Sequence, residues 1–230
     1  MGFFKWAVAE GFLREDPTKG ITRRKENDVP RSVDEELVKR LLSLPNTKMF
    51  CGLRDFCLLV LTMDTGIRPG EAFGLRVDDF NLRAFEVTVR PAVAKTRTAR
   101  TLPLSPITVD VVNKLITARH EQWCDDVPVY CTETGRPMTR FIWNARMALY
   151  SKKMGAKVRP YDLRHSFAVY YLRHRGNAFG LQRTLGHSSM AMTRRYVNLT
   201  QLDLKQQHST ASPLNRLLTR VARVRSLKGE

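Results

Sequence analysis

Acidic side chains are what this 230-residue chain is short of: 22 Asp and Glu stand against 39 Lys and Arg, a formal net charge of +17. The shortage is local. Residues 1–115 carry 19 basic and 15 acidic groups, whereas residues 116–230 carry 20 and 7, and between Thr134 and Leu202 the sole acid is Asp162. A basic surplus of this kind faces a polyanion, and nucleic acid is the commonest one. Long hydrophobic runs are missing too: Phe56 to Met63 is the longest mostly apolar stretch, far below the roughly 20 residues of a membrane span. Cysteine is scarce. Cys51, Cys57, Cys124 and Cys131 form no CxxC pair and the five histidines have no zinc-type spacing, so neither a disulfide framework nor a metal site is expected. Glu10 interrupts any secretory core, and Trp6 stands where a myristoylation signal has Ser or Thr, which leaves a cytoplasmic protein with reduced thiols as the expectation.

What is present fits one packed domain: 43% of residues are hydrophobic and 27% charged. Residues 3–13 have helical apolar spacing, and the polar segment after them, with Pro17, Gly20 and Pro30, reads as a linker. Ser32-Val-Asp-Glu35 has the form of a capping box opening a helix through Leu44. Arg54 to Thr65 is apolar on nearly every face until Gly66, the pattern of a helix at the centre of a domain. The period then changes. Ala84–Arg90 alternates, Thr101–Leu104 is a second extended run, and basic AKTRTAR joins them in what reads as an antiparallel hairpin. Helices are expected over Ser105–Trp123, Thr139–Met154, Asp162–Arg175, Phe179–Leu185, Ser189–Val197 and about Leu214–Leu227, with a brief strand at Pro128–Cys131. The fold class is therefore α+β, mainly helical with a small antiparallel sheet.

Isolated basic residues stand at the structural punctuation marks. Arg68 follows the central helix in TGIRPGEAFGL, with Glu71 three residues on, near enough to orient a guanidinium or simply to brace the turn. Lys95 sits on the hairpin turn, where an amine held among cations is a phosphate contact or a general acid. Tyr161 and Arg164 share a face at the start of a helix in RPYDLRH, and helix N-termini attract phosphate. His187 occupies the corner GHSS, and the following helix carries Tyr196. His165, His174 and the four cysteines lack a comparable setting and read as packing or surface residues.

In chain order GIRPGEAFGLRVDD, AKTRTARTLPL, YDLRHSFA and LGHSSMAMTRRYVNL resemble the catalytic domain of the tyrosine recombinases, the family of phage and mobile-element integrases. The likeness runs from about Phe3 to Leu199. The resemblance implies that Arg68, Arg164 and His187 hold the scissile phosphate, that Lys95 protonates the departing 5′-oxygen, that Tyr196 is the nucleophile and that Glu71 supports Arg68. It further implies a DNA breaking and rejoining fold, no metal and no cofactor, double-stranded DNA as partner, self-association on DNA as a tetramer, and a nucleoid-associated location. Tyr161 departs from the pattern, standing where the family most often has His; a phenol donates to phosphate but is a poor base. Arg97, Arg100, Arg140, Lys152, Lys153, Lys157 and Arg159 are expected as sequence-independent DNA contacts.

The implied organisation is residues 1–13 as the last helix of an N-terminal clamp domain, 14–31 as linker, 32–200 as catalytic domain and 201–230 as a tail whose amphipathic helix is exchanged between subunits or packs on its own domain. Two alternatives stand beside the recombinase. A type IB topoisomerase uses the same side chains, but GIRPGE and LGHSSMAMTRRY look closer to integrases. A catalytically impaired DNA-binding remnant or regulator would fit Tyr161 and the short N-terminus.

Overall fold

The computed structural model describes residues 2–21, 31–199, 208–209 and 211–217. Its helices are α1 (Phe3–Ala9), α2 (Glu35–Leu42), α3 (Phe50–Thr65), α4 (Pro69–Ala72), α5 (Pro106–Thr117), α6 (Arg140–Met154), α7 (Pro160–Arg173), α8 (Ala178–Leu185) and α9 (Met190–Leu199), with a further turn at Leu214–Leu217. Between α4 and α5 lies a three-stranded antiparallel sheet of β1 (Phe80–Asn81), β2 (Glu86–Val89) and β3 (Arg100–Pro103), in that order. Val87 pairs with Leu102, and both are fully buried. No helix of the described residues is long and apolar enough to cross a membrane.

The expected class, helical with a minor sheet, is the one observed. Helix α3 is its axis: Cys57, Leu58, Leu59 and Leu61 are fully buried, and α5 and α7 pack against it. Such all-round burial is what an apolar sequence without a polar face demands. Helix α6 is tied to α3 through buried Asp55, which accepts hydrogen bonds from Arg54, from Arg146 and, at 2.7 Å, from the Tyr150 hydroxyl.

Several expected boundaries shift for local reasons. Asp34, not Ser32, caps α2, its side chain accepting from Glu36 N at 2.9 Å, because the backbone at Val33 is taken up by Ser166 Oγ and Tyr170 Oη of α7. Strand β2 begins at Glu86 rather than Ala84 because Phe85 is left-handed, φ 58°, and the amide of Ala84 turns back to Asn81 Oδ1. The short β1 was not anticipated. Helix α5 stops at Thr117, after which Arg119 folds over the carbonyls of Val127 and Pro128. The strand expected at Pro128–Cys131 is reduced to a single bridge between Cys131 and Pro137. Of the helix expected from Leu214 to Leu227, the part beyond Leu217 lies outside the described residues, as do positions 22–30 of the linker.

Candidate active site

Arg164 is the structural keystone of the site. It projects from the start of the second turn of α7, is 1% exposed, and reaches the Gly66 carbonyl at the end of α3 and the Leu185 carbonyl at the end of α8, the latter at 2.7 Å. Both acceptors are C-terminal carbonyls, where the helix dipole favours a cation. Burial and the neighbouring Arg68 charge push the guanidinium pKa down to about 10, so it remains protonated. The approach depends on Gly66 (φ 61°): a Cβ there would stand 2.3 Å from Phe167 Cδ1.

Arg68 opens α4. Its Nη1 donates to Glu71 Oε1 at 3.1 Å and its Nη2 reaches the Gly186 carbonyl at 3.5 Å. Its Nε is buried and, among the described residues, is a side-chain donor without an acceptor. A buried guanidinium N–H left in that state is costly unless a ligand supplies the acceptor. Glu71 is the counter-ion of the cluster: Arg100 forks onto both carboxylate oxygens at 3.3 and 2.6 Å, and the Lys95 amide donates to Oε1 at 3.2 Å. Burial alone would raise the Glu71 pKa, but the Arg100 hydrogen bond and charge, with the Arg68 charge, outweigh it and hold the carboxyl below its usual range. One carboxylate thus fixes α4, the hairpin tip and β3 together, and Arg100 Nε extends the tie to the Thr184 carbonyl of α8.

His187 follows the left-handed Gly186 (φ 62°) that ends α8. Its Nδ1 lies 2.9 Å from Thr193 Oγ1 and its Nε2 lies 3.4 Å from Arg164 Nη2. Arg164 has only donors to offer, so the neutral ring carries its proton on Nδ1. Burial, then the charges of Arg164, Arg68, Arg100 and Arg195, push its pKa down to about 4.

Tyr196, from α9, is 4% exposed and packs among Phe167, Leu181 and Leu185. Its ring stacks on His187 with centroids 6.3 Å apart and planes 11° from parallel, and its Oη lies 2.7 Å from His165 Nδ1. Burial raises the phenol pKa above its ordinary value, opposed by Arg164, Arg195 and Arg68. Tyr161 stays 45% exposed and lines, with Arg68, Lys95, Arg140 and Arg159, a cavity of about 650 Å³. A second cavity of about 820 Å³ lies between the hairpin and α8, bordered by Thr96, Arg100, Arg183 and His187.

Arg68, Lys95, Tyr161, Arg164, His187, Tyr196 and Glu71 therefore meet in one place. Among the expected DNA contacts, Arg140 and Arg159 join Lys95 at the cavity and Arg97 is exposed on the hairpin turn with φ 54°. Arg100 departs from that expectation, its guanidinium being committed to Glu71 and Thr184. Lys152 and Lys153 are exposed on the last turn of α6 and Lys157 just after it; none of the three borders either cavity. His165 and Thr193 were not singled out by the sequence. For His165 a signal existed: it lies one helical turn beyond Tyr161, on the same side of α7.

Three basic side chains converging on a buried tyrosine, on this fold, define a DNA strand-breaking and rejoining enzyme of the tyrosine type. The phage integrase family model matches residues 31–202, and the chain belongs to the phage integrase family. It is 28% identical over 214 residues to tyrosine recombinase XerC of Salmonella typhi, covering 92% of this chain and 70% of the relative, and 29% identical over 220 residues to tyrosine recombinase XerD of Lacticaseibacillus casei, covering 92% and 73%. Among solved structures, XerA recombinase superposes with a TM-score of 0.66 at 23% identity over 91% of this chain and 72% of that one. The Tn1549 transposon integrase in complex with a circular intermediate DNA gives 0.67 at 18% identity over 84% and 70%. The chain is a site-specific DNA recombinase, and the impaired remnant is not the favoured reading.

Proposed function

We propose that this recombinase cuts double-stranded DNA with Tyr196, forming a 3′-phosphotyrosyl link, while Arg68, Arg164 and His187 hold the scissile phosphate. Attack builds negative charge on the non-bridging oxygens, and the guanidinium donors already fixed in place stabilise that charge more than the ground state; the phosphate's own charge offsets the neighbouring arginines that keep His187 neutral, so that its Nε2 takes up a proton and donates as well. The buried Arg68 Nε, without an acceptor among the described residues and clustered with Arg164 and His187, is the observation that carries this reading. As the Tyr196 oxygen bonds to phosphorus, the P–O5′ bond breaks and Lys95 delivers a proton to the leaving oxygen. The covalent link conserves the phosphodiester energy for the incoming 5′-hydroxyl. Glu71 and Arg100 position Arg68 and the hairpin bearing Lys95.

Arg140 and Arg159 take neighbouring phosphates, with Arg97, Lys152, Lys153 and Lys157 as outer contacts along the duplex. DNA is also the partner named for the Tn1549 integrase and XerH complexes. Exchange between two duplexes cuts four strands, and each chain has one such tyrosine, so the working assembly is a tetramer on paired sites, acting at the nucleoid. Residues 3–13 serve as the end of a clamp module and residues 201–230 as a segment exchanged between subunits.

The test is a nicked half-site duplex whose cleaved strand is too short to religate. A denaturant-resistant adduct is expected, and Tyr196→Phe abolishes it while leaving salt-sensitive binding intact. An adduct on another tyrosine defeats the assignment.

A further inference from the structure

Cleavage requires Tyr196 to lose a proton as its oxygen bonds to phosphorus, and burial keeps that proton on the phenol at neutral pH. Among the described residues, the other groups of the site are unequal to accepting it. Glu71 is held by Arg68, Arg100 and the Lys95 amide. His187 lies face to face with the Tyr196 ring and turns its nitrogens to Thr193 and Arg164. Tyr161, at the position where the family pattern most often has His, is itself a phenol. His165 is different: its Nδ1 is 2.7 Å from Tyr196 Oη, within the reach that proton transfer demands.

We propose that His165, the residue immediately after Arg164, is a catalytic residue of this recombinase, the base that takes the Tyr196 proton during cleavage and returns it on rejoining. The inference rests on the reading of Tyr196 as nucleophile. The phenol O–H donates to the Nδ1 lone pair, which places the ring's own proton on Nε2. In the forward step the O–H bond of Tyr196 breaks, the proton moves to Nδ1, the O–P bond forms, the P–O5′ bond breaks and the 5′-oxygen takes its proton from Lys95. Rejoining runs the same transfers in reverse. Helix α7 makes the division of labour local: consecutive residues diverge by about 100° around the axis, so Arg164 serves the phosphate cradle while His165 serves the nucleophile. The Tyr161 ring lies edge-on to His165 at 5.3 Å and the Tyr196 ring tilts over it at 5.8 Å. Among the described residues, the charged and titratable groups facing the pair are Tyr161 and Arg164 from α7, Arg195 from α9, His187 from the corner before it and Arg68 from the start of α4.

The experiment is single-turnover cleavage of the nicked half-site by the whole chain across pH 6 to 9. It compares wild type, His165→Asn, which keeps an amide near the Nδ1 position but no proton acceptor of comparable basicity, and His165→Ala. Each is also made with a fluorinated tyrosine of lowered phenol pKa at position 196. Both histidine variants are expected to cleave about 100-fold or more slowly at pH 7, to gain rate with rising pH where wild type levels off, and to recover most of the loss with the fluorinated tyrosine. Asn cleaving within about twofold of wild type means a hydrogen bond suffices, and the proposal falls. A slow variant that neither high pH nor the fluorinated tyrosine rescues makes His165 structural, and the proposal falls as well. Circular dichroism and DNA affinity monitor folding, and if both substitutions unfold the chain His165 is structural. An adduct that survives Tyr196→Phe instead overturns the nucleophile reading, so the two failures are distinct.

Discussion

Arg100 Nη2 lies 2.6 Å from Glu71 Oε2, so an arginine on the strand that leaves the basic hairpin is anchored inside the protein rather than presented to solvent. A phosphate contact contributes about one unit to the salt dependence of DNA binding, whereas an internal ion pair contributes none. Arg100→Gln is therefore expected to leave the slope of log K against log salt unchanged while reducing cleavage. Arg140→Gln is expected to lower the slope by ~0.9 with milder loss of cleavage at saturating protein. Fluorescence anisotropy across a salt series, alongside half-site cleavage, measures both.

Glu71 is 2% exposed amid Arg68 and Arg100. Removing its charge leaves two partly buried guanidinium groups uncompensated, the situation in which breaking a buried pair costs about 3–5 kcal/mol. Glu71→Gln is expected to destabilise the fold by ~3 kcal/mol in urea unfolding, and Arg100→Met in the same background to recover part of it by removing one stranded cation.

His187 gives the acid response of the fold a specific window. The unfolded imidazole takes up a proton near its ordinary 6.5, whereas the folded one does so only near about 4. Below 6.5 the unfolded chain therefore binds more protons and stability falls, with the loss complete below about 4. Glu71, also held below its usual range, adds to the fall at the acid end. Since His187 is partly solvated, its share is on the order of 1 kcal/mol. His187→Asn is expected to flatten the stability profile between pH 6.5 and 4, measured by urea unfolding at fixed ionic strength, and to leave the profile above pH 7 unchanged.

Gly66 lets the α3 C-terminus meet Arg164, and its left-handed φ of 61° and the 2.3 Å approach of Phe167 Cδ1 both exclude a side chain. Gly66→Ala combines backbone strain with overpacking, each worth roughly 1–3 kcal/mol. A loss of ~3 kcal/mol is expected in thermal and urea unfolding, with cleavage lost in the material that stays folded, because the carbonyl that anchors Arg164 moves.

What the sequence made legible is what local rules control. Gly66 and Gly186 end helices as expected, so Arg68 and His187 stand at corners that the sequence itself marks. What it hid is set by contacts distant along the chain. Ser32 and Asp34 are both good helix caps, and the choice between them follows from Ser166 of α7 holding Val33 from 133 residues away. The same holds for Arg100, whose value as a phosphate contact or an anchor turns on Glu71, 29 residues earlier. His165 reads as a packing or surface residue because its one local mark, Tyr161 a helical turn earlier, does not say what it meets. Its partner, Tyr196, is 31 residues on and meets it only once α9 packs on α7.

Lys95 supplies the sharpest separation of proton delivery from DNA grip. Its amide is fixed by Glu71 while its side chain is exposed beside the cavity shared with Arg68 and Tyr161, so the ammonium swings on an anchored stem. A lysine that merely neutralises a phosphate is replaced by Arg at little cost; a lysine that hands over a proton is not, because a guanidinium holds its proton far more tightly. Lys95→Arg and Lys95→Ala are therefore expected to cleave the normal half-site about 100-fold or more slowly. Replacing the 5′-bridging oxygen at the scissile phosphate by sulfur, which departs as a thiolate without needing a proton, is expected to bring both variants to within about tenfold of wild type. Rescue of binding by Arg with full cleavage of the oxygen substrate would instead make Lys95 a phosphate contact. A sulfur substrate that rescues neither variant would place the general acid elsewhere.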